Sequence, residues 1–267
     1  RGRLDCLVQA PELIDEPVNA INFANGVLMP QQGAAGDTKL ILMPHKPAYG
    51  FTYTLPFRYL EGEGRNATRF FKFLEDCWGS DYDYHEKVAA LQEVMAATLF
   101  GLGPKLERAV LLFGPPATGK SQMLAIMSAL VPESAKCACP PENWSDKFMP
   151  ATMHGKIFNA CGELSNRKLI DGQMFKTIVS GEEIPAQHKN RPIFRFKPIC
   201  THWFASNHTP KTDDSSAAFN RRWVILNFPT QVPEHKRDPG LGAKIVAEER
   251  EAIIAWAAEG LVRLLSE

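Results

Sequence analysis

The stretch that decides the fold is Val110-Leu-Leu-Phe113, followed by Gly114-Pro-Pro-Ala-Thr-Gly119-Lys120-Ser121. The apolar run is typical of a buried strand, the turn matches G-x-x-x-x-G-K-[ST], and residues 122–130 favour a helix. Glycines let backbone N–H groups approach a phosphate closely, and the helix N-terminus adds partial positive charge. The stretch therefore predicts a phosphate-binding loop, and the alternative is a glycine-rich turn that binds nothing.

The residues that close this loop indicate which ligands it would hold. Lys120 would reach the β- and γ-phosphates of a nucleoside triphosphate, and the hydroxyl of Ser121 would coordinate Mg²⁺. We therefore expect ATP and Mg²⁺ as ligands. The residues predicted to contact the nucleotide are Gly114, Pro115, Pro116, Ala117, Thr118, Gly119, Lys120, Ser121 and Gln122.

The composition is that of an ordinary globular protein. Of 267 residues, 45% are hydrophobic and 22% are charged, and the formal net charge is zero, so any surface for nucleic acid must be local. No apolar run approaches the roughly 18 residues that span a bilayer, and we expect no membrane partner. Six cysteines do not form a disulfide framework in a chain of this size, which favours a reducing, intracellular setting. Because the sequence begins with Arg1 rather than Met, we expect a piece of a longer protein.

The first part of the chain predicts a small accessory region. Residues 1–65 are β-rich and broken by proline and glycine; they include a hairpin over residues 18–28 that turns at Asn25-Gly26. Residues 51–55 predict another short strand. Nothing in this region has catalytic spacing, so we expect it to act as a scaffold or linker.

Two further segments follow. Residues 66–105 predict a helical lead-in of at least two packed helices, because apolar residues recur at helical spacing. Its aromatic cluster is interpreted as core, and a platform for stacked bases is the alternative. Residues 106–267 predict an α/β ATPase domain with a parallel sheet and the phosphate-binding loop at its carboxyl edge. Near its end, residues 243–265 predict one long helix, or two helices broken near Gly260.

Two polar residues come directly after apolar strands, where parallel strands would bring them beside the loop. Glu163 follows the strand predicted at residues 157–162, and could polarise an attacking water and contribute to the Mg²⁺ site with Ser121. Asn207 follows the strand predicted at residues 199–206, and could bond both that water and the γ-phosphate. The alternatives are a solvated glutamate and an asparagine that forms a turn.

Basic residues form two further groups. Residues 186–211 carry several lysines and arginines with interleaved aromatic residues and no acidic residue, a pattern that suits single-stranded nucleic acid. A solvated basic face is the alternative. Arg221 and Arg222 come directly before the strand predicted at residues 223–228, and either could reach a phosphate from a neighbouring subunit. A structural ion pair is the alternative there.

The order of these elements resembles the superfamily 3 helicases, which are AAA+-related replicative ATPases, and in particular the helicase half of phage and plasmid primase–helicases. The resemblance includes Ser206-Asn207-His208-Thr-Pro210, Phe219-Asn-Arg221-Arg222 and the closing helix, and spans residues 18–265. It implies an AAA+-like fold and a homo-oligomeric ring, hexameric in this family, that moves 3′ to 5′ on single-stranded DNA.

The resemblance also implies roles and partners. His188, Lys189 and Arg191 would contact single-stranded DNA, and Arg222, with Arg221 as second choice, would be the arginine that acts on the neighbouring subunit. A primase domain or a replication-initiation protein would be a partner, in the cytoplasm of a bacterial host of a phage or plasmid. A nucleotide-switched loader or remodeller that does not unwind DNA, and a non-enzymatic scaffold that holds nucleotide, are the competing interpretations.

Overall fold

The computed structural model describes residues 19–33, 37–51 and 53–266, so Val18, where the predicted hairpin begins, lies outside the described residues. The strands are β1 (Ile21–Phe23), β2 (Gly26–Gln32), β3 (Thr38–Met43), β4 (Ala109–Phe113), β5 (Lys136–Cys137), β6 (Phe158–Cys161), β7 (Ile184–Gln187), β8 (Ile193–Phe196), β9 (Thr201–Ser206) and β10 (Trp223–Asn227). The α-helices are α1 (Thr68–Trp78), α2 (Tyr84–Leu99), α3 (Gly103–Leu106), α4 (Lys120–Leu130), α5 (Gly172–Val179), α6 (Ala217–Asn220) and α7 (Leu241–Leu264).

A five-stranded sheet forms the centre of the fold, in the order β10-β4-β9-β6-β5. All four of its strand pairings are parallel, which confirms the expected α/β fold with a parallel sheet. Its strands are mostly buried because helices cover both faces, as in other parallel sheets. The chain leaves β4 through α4, reaches the far edge at β5, and returns through β6 and β9 to β10 on the other side of β4.

Two hydrophobic clusters pack on opposite faces of this sheet, and β4 contributes to both in alternation. Val110 and Leu112 belong to one cluster, and Ala109 and Leu111 belong to the other, as the period of two in a strand requires. The first cluster also contains side chains of β1, β2, α1, α2, α4 and α7. The second contains α5 and the hairpin formed by β7 and β8.

The N-terminal hairpin is present, but its turn differs from the prediction. Strand β1 pairs with β2 so that Phe23 lies opposite Gly26, which makes Ala24-Asn25, rather than Asn25-Gly26, the turn. Gly26 opens β2 with φ at 148°, and a Cβ there would lie 2.7 Å from the carbonyl oxygen of Met43, so the glycine permits a close approach of β3. The strand predicted at residues 51–55 is wrong: among the described residues of this stretch, 51 and 53–55, Leu55 alone forms a bridge, with Phe23.

The predicted helical lead-in is confirmed as α1 and α2, and the aromatic residues of α1 are core, with Phe70, Phe73 and Trp78 buried. The closing helix α7 is continuous through Gly260. A Cβ at Gly260 would lie 2.8 Å from the carbonyl oxygen of Gln92, so this glycine lets α7 approach α2 closely instead of breaking the helix. Within the described residues, no helix is both long and apolar enough to cross a membrane.

Candidate functional site

The carboxyl edge of the sheet brings three predicted site elements together. Phe113, the last residue of β4, pairs with Ser206, the last residue of β9, and Cys161 at the end of β6 pairs with Phe204. Glu163 and Asn207 therefore leave the sheet at the same edge as the glycine-rich loop (residues 114–121). The neighbouring strands β4 and β9 then form the kind of crevice in which open α/β sheets bind ligands.

Two glycines of the loop are required by its geometry. Gly114 has φ at 146°, and a Cβ there would lie 2.2 Å from the carbonyl oxygen of Phe228. Gly119 has φ at 98°, and a Cβ there would lie 2.8 Å from Cys77 Sγ in α1. Any larger residue would be strained at both positions. The loop thus turns sharply into α4, whose first backbone N–H groups have no partner within the helix.

Lys120 lies at the centre of this loop. Its Nζ donates to the carbonyl oxygens of Gly114 at 2.8 Å and Pro115 at 2.5 Å, and lies 3.3 Å from Thr118 Oγ1. The side chain is buried, and burial lowers the pKa of its ammonium group. Its partners here are neutral oxygens, so the positive charge is solvated by the loop without being neutralised.

A cleft of ≈ 660 Å³ opens over the loop. Of the predicted site residues, Pro116, Ala117, Thr118, Gly119, Lys120, Ser121, Gln122, Glu163 and Asn207 line it. Gly114 and Pro115, the first two residues of the loop, do not line the cleft. The three nonadjacent motifs therefore share one cavity.

Two walls of the cleft come from elements that the sequence analysis did not assign to the site. One wall is α1, through Phe73, Asp76 and Cys77, and the other is residues 230–241. Phe73 belongs to the aromatic cluster that the sequence predicts to be core, because apolar residues at helical spacing predict packing; nothing in the sequence marks Asp76 or Cys77 as site residues. Residues 229–240 are polar and rich in proline, which predicts a linker, and their composition carries no sign of a contact with the loop.

The oxygen ligands in the cleft suit Mg²⁺. Ser121 and Glu163 are both exposed and line the same cavity. Among the described residues, no group of three or more histidine, cysteine, aspartate or glutamate side chains could hold a metal ion. A small number of protein oxygens, completed by phosphate oxygens and water, is the usual manner of Mg²⁺ binding at nucleotides.

Arg221 and Arg222 lie at the amino ends of the parallel strands, opposite the carboxyl ends where the loop is found. Trp223, the residue after Arg222, pairs with Ala109 at the start of β4, so five strand residues, about 13 Å, separate this position from the loop. Neither arginine lines the cleft. Both arginines therefore lie away from the cleft of their own chain.

The structure distinguishes the two arginines. Arg222 donates from Nη1 to the carbonyl oxygen of Ala218 at 2.8 Å and from Nη2 to Ser180 Oγ at 2.9 Å, and its side chain is 12% exposed. Arg221 is exposed, and none of the described side chains forms an ion pair or hydrogen bond with its guanidinium. Of the two, Arg222 is therefore held within its own chain, and Arg221 is the one whose guanidinium is exposed.

The first part of the basic segment forms a hairpin. Strands β7 and β8 pair antiparallel, from Ile184 opposite Phe196 to Gln187 opposite Ile193, and residues 188–192 form the tip. His188, Lys189 and Arg191 are all exposed there, and Asn190 adopts the left-handed conformation with φ at 61°. The ring of His188 stacks on that of Phe194 at 5.2 Å. The tip therefore presents cations beside an aromatic stack, as a single-strand contact requires.

Comparison with known proteins supports the fold. A family model described as a family of unknown function, DUF5906, matches residues 112–222. Three apo structures of the C-terminal region of NrS-1 resemble the chain with TM-scores of 0.56, 0.54 and 0.52 at 16%, 16% and 15% identity. Each match covers 87% of this chain and 54% of the NrS-1 chain, so this chain spans about half the length of that region. At this identity the likeness shows a shared fold.

Proposed function

We propose that the chain is the motor part of an ATP-driven DNA helicase of the AAA+-related superfamily 3 type, which acts as a homo-oligomeric ring on single-stranded DNA. The observation that carries the proposal is the meeting of the glycine-rich loop, Glu163 and Asn207 in one cleft. The exposed cations of the hairpin tip give the same chain a surface for the nucleic acid. The fold shared with the NrS-1 C-terminal region agrees with this assignment without specifying an activity.

Each residue has a role that its position allows. Backbone N–H groups of the loop and the Lys120 ammonium group would hold the phosphates, because Lys120 can exchange neutral carbonyl partners for charged phosphate oxygens. Ser121 and Glu163 would hold Mg²⁺, which would withdraw charge from the phosphates when bound. Glu163 would also accept a proton from the attacking water, and Asn207 would orient that water.

The position of the arginines supports a ring. Arg221 lies at the edge of the sheet away from its own cleft, so it could complete a site only in an adjacent copy. We propose that it does so, in a ring that is a hexamer in the related helicases. Hydrolysis at such a boundary would be coupled to the hairpin through Arg222 and Ser180, which join β10 to the end of α5.

ATP turnover with and without single-stranded DNA tests the site assignment. Lys120→Ala is expected to abolish both nucleotide binding and turnover. Glu163→Gln is expected to keep nucleotide binding and lower turnover about 10²- to 10⁴-fold, the range for loss of a general base. Glu86→Gln removes an exposed carboxylate on α2 outside the cleft and serves as the matched control. DNA-stimulated turnover that survives in Lys120→Ala would refute the assignment.

A loader or remodeller that consumes ATP without unwinding is the second candidate. A loader would use the same nucleotide cleft as a helicase, so an assay of unwinding is needed to distinguish the two functions. A strand-displacement assay on a forked duplex distinguishes them, because only the helicase releases the labelled strand. Mass measurement with and without ATP and single-stranded DNA tests the ring directly.

A further inference from the structure

Residues 229–240, here named the strap, run along the cleft and are bonded to the loop near their start and to α4 near their end. Near the start, Gln231 Nε2 donates to the carbonyl oxygen of Pro116 at 3.1 Å, and Val232 N donates to that of Ala117 at 2.8 Å. Near the end, Gln122 Nε2 donates to the carbonyl oxygen of Pro239 at 3.1 Å. The middle of the strap is thereby held beside the cavity that it lines.

Gln122 forms two hydrogen bonds at the end of the strap. Its Oε1 accepts from Gly242 N at 2.8 Å, so one side chain of α4 bonds the backbone on both sides of the junction between the strap and α7. A Cβ at Gly242 would lie 3.0 Å from that same Oε1, which shows how closely the junction approaches α4. The residue directly after Ser121 therefore fixes the position of the strap.

The charges of the cleft are unbalanced in favour of cations. Lys236 and Arg237 of the strap line the cavity and are exposed. In the described part of the chain, no carboxylate lies within ion-pair distance of either. Arg237 is oriented by its backbone contact, since its Nε donates to the carbonyl oxygen of Val232 at 2.9 Å.

The acidic groups nearby do not offset these cations. Asp76 pairs with Lys72 at 3.0 Å, and Asp238 pairs with Lys244 at 2.6 Å. Glu163 is the remaining carboxylate that lines the cavity. With Lys120 bonded to neutral oxygens, the cleft presents three cations without a carboxylate partner, which is a complement suited to a polyanion.

We infer that the strap is a second phosphate-binding element of the nucleotide site, in which Lys236 and Arg237 pair with phosphate oxygens of a nucleotide held on the loop of the same chain. This inference rests on the proposed nucleotide binding. It assigns to a connecting segment, which includes the 3-10 turn Glu234–Lys236, a role in cis that is separate from that of Arg221 in trans. Because α7 begins directly after the strap, nucleotide binding would also fix the start of that helix.

The first test measures nucleotide affinity. A fluorescent N-methylanthraniloyl derivative of ATP is titrated with Mg²⁺ into the wild type and the double variant Lys236→Gln/Arg237→Gln. The double variant is expected to bind about tenfold more weakly, the sum of two solvent-screened ion pairs. Lys105→Gln is the matched control, because Lys105 is exposed in α3 at the amino edge of the sheet.

The second test uses trypsin cleavage to measure whether the nucleotide covers the strap, and it does not depend on ATP turnover. Trypsin cleaves after Lys236 and Arg237, and saturating Mg²⁺-ATP is expected to protect these two bonds while leaving cleavage after Lys189 at the hairpin tip unchanged. AMP, which lacks the β- and γ-phosphates, is expected to protect them weakly.

The outcomes separate the two proposals. If the wild type does not bind Mg²⁺-ATP, both the proposed nucleotide site and the proposed role of the strap are refuted. A different result would overturn the role of the strap alone. In that result the wild type binds Mg²⁺-ATP, Lys120→Ala does not, and the double variant binds as tightly as the wild type. Trypsin cleavage after Lys236 and Arg237 that continues at saturating Mg²⁺-ATP would also overturn the role of the strap.

Discussion

Arg222 Nη2 donates a hydrogen bond of 2.9 Å to Ser180 Oγ, which joins the start of β10 to the end of α5. Ser180 is followed after three residues by β7, the first strand of the basic hairpin. One arginine therefore holds the base of the hairpin, while its exposed neighbour Arg221 faces outward. Adjacent residues of one type thus have different structural environments and different expected roles.

Arg222→Ala is expected to lower the free energy of unfolding by about 1–3 kcal/mol, because it leaves the Ala218 carbonyl and the Ser180 hydroxyl without a charged donor. Urea unfolding measures this change. Arg221→Ala is the matched control and is expected to unfold at the wild-type midpoint, because its side chain is exposed.

Arg221→Ala is instead expected to lower ATP turnover without changing nucleotide binding. Mixing Arg221→Ala subunits with Lys120→Ala subunits should restore part of the turnover, because some boundaries then combine an intact loop with an intact arginine. No recovery at any mixing ratio would argue against a site shared between copies.

Gly119→Ala is expected to destabilise the loop by about 1 kcal/mol or more, because alanine is strained at positive φ and its Cβ would lie 2.8 Å from Cys77 Sγ. Nucleotide binding should be lost with it. Gly162→Ala is the control for unfolding, since a Cβ at Gly162 meets no atom within 4 Å. Thermal unfolding measures both variants and nucleotide titration measures Gly119→Ala, and equal destabilisation by the two substitutions would show that the loop geometry has no special role.

Lys189→Ala is expected to weaken binding of an oligothymidylate and to reduce the slope of log affinity against log salt by about 0.7, the value for one phosphate contact on a single strand. Nucleotide binding should not change, because Lys189 lies at the hairpin tip outside the cleft. Lys168→Ala, at another exposed lysine, is the control. An unchanged salt slope in Lys189→Ala would place the DNA surface elsewhere.

Much of the fold and of the cleft could be predicted from the sequence. The unit of β4, loop and α4 is local, since glycines, lysine and the flanking strand and helix lie within a few residues. Glu163 and Asn207 could be predicted because the carboxyl ends of parallel strands meet at one edge. That inference needs only the strand boundaries and their common direction.

The remaining features depend on tertiary contacts that leave no sequence pattern. The choice between Arg221 and Arg222 depends on which side chain turns toward Ser180. The strap lacks periodicity, and its place is set by hydrogen bonds to Pro116, Ala117 and Gln122. Gly260 resembles a helix break in sequence, yet it serves the packing of α7 on α2.

A buried histidine leads to a prediction about pH. His202 in β9 is 1% exposed, and burial lowers its pKa to about 3. Its Nδ1 lies 3.1 Å from Asn159 Nδ2, a donor, so the neutral ring is the form that fits. In the unfolded chain a histidine takes up a proton near pH 6.5. Between those two pKa values the unfolded state binds one proton more, so the free energy of unfolding falls as the pH falls from about 6.5 toward 3.

We therefore expect the wild type to lose about 2 kcal/mol of stability between pH 8 and pH 5 through this residue, measured by urea unfolding at both values. His202→Phe removes the titrating group while keeping an aromatic ring against Trp144, whose ring centroid lies 4.7 Å away. The variant should lose less stability over the same interval, whatever its stability at pH 8. Asp214, whose pKa is lowered to about 2 chiefly by its bond with Lys176, stabilises the fold at both pH values and loses that contribution only as the pH falls below about 4, so it does not disturb the comparison. Equal losses in wild type and variant would show that His202 accepts its proton without unfolding the chain.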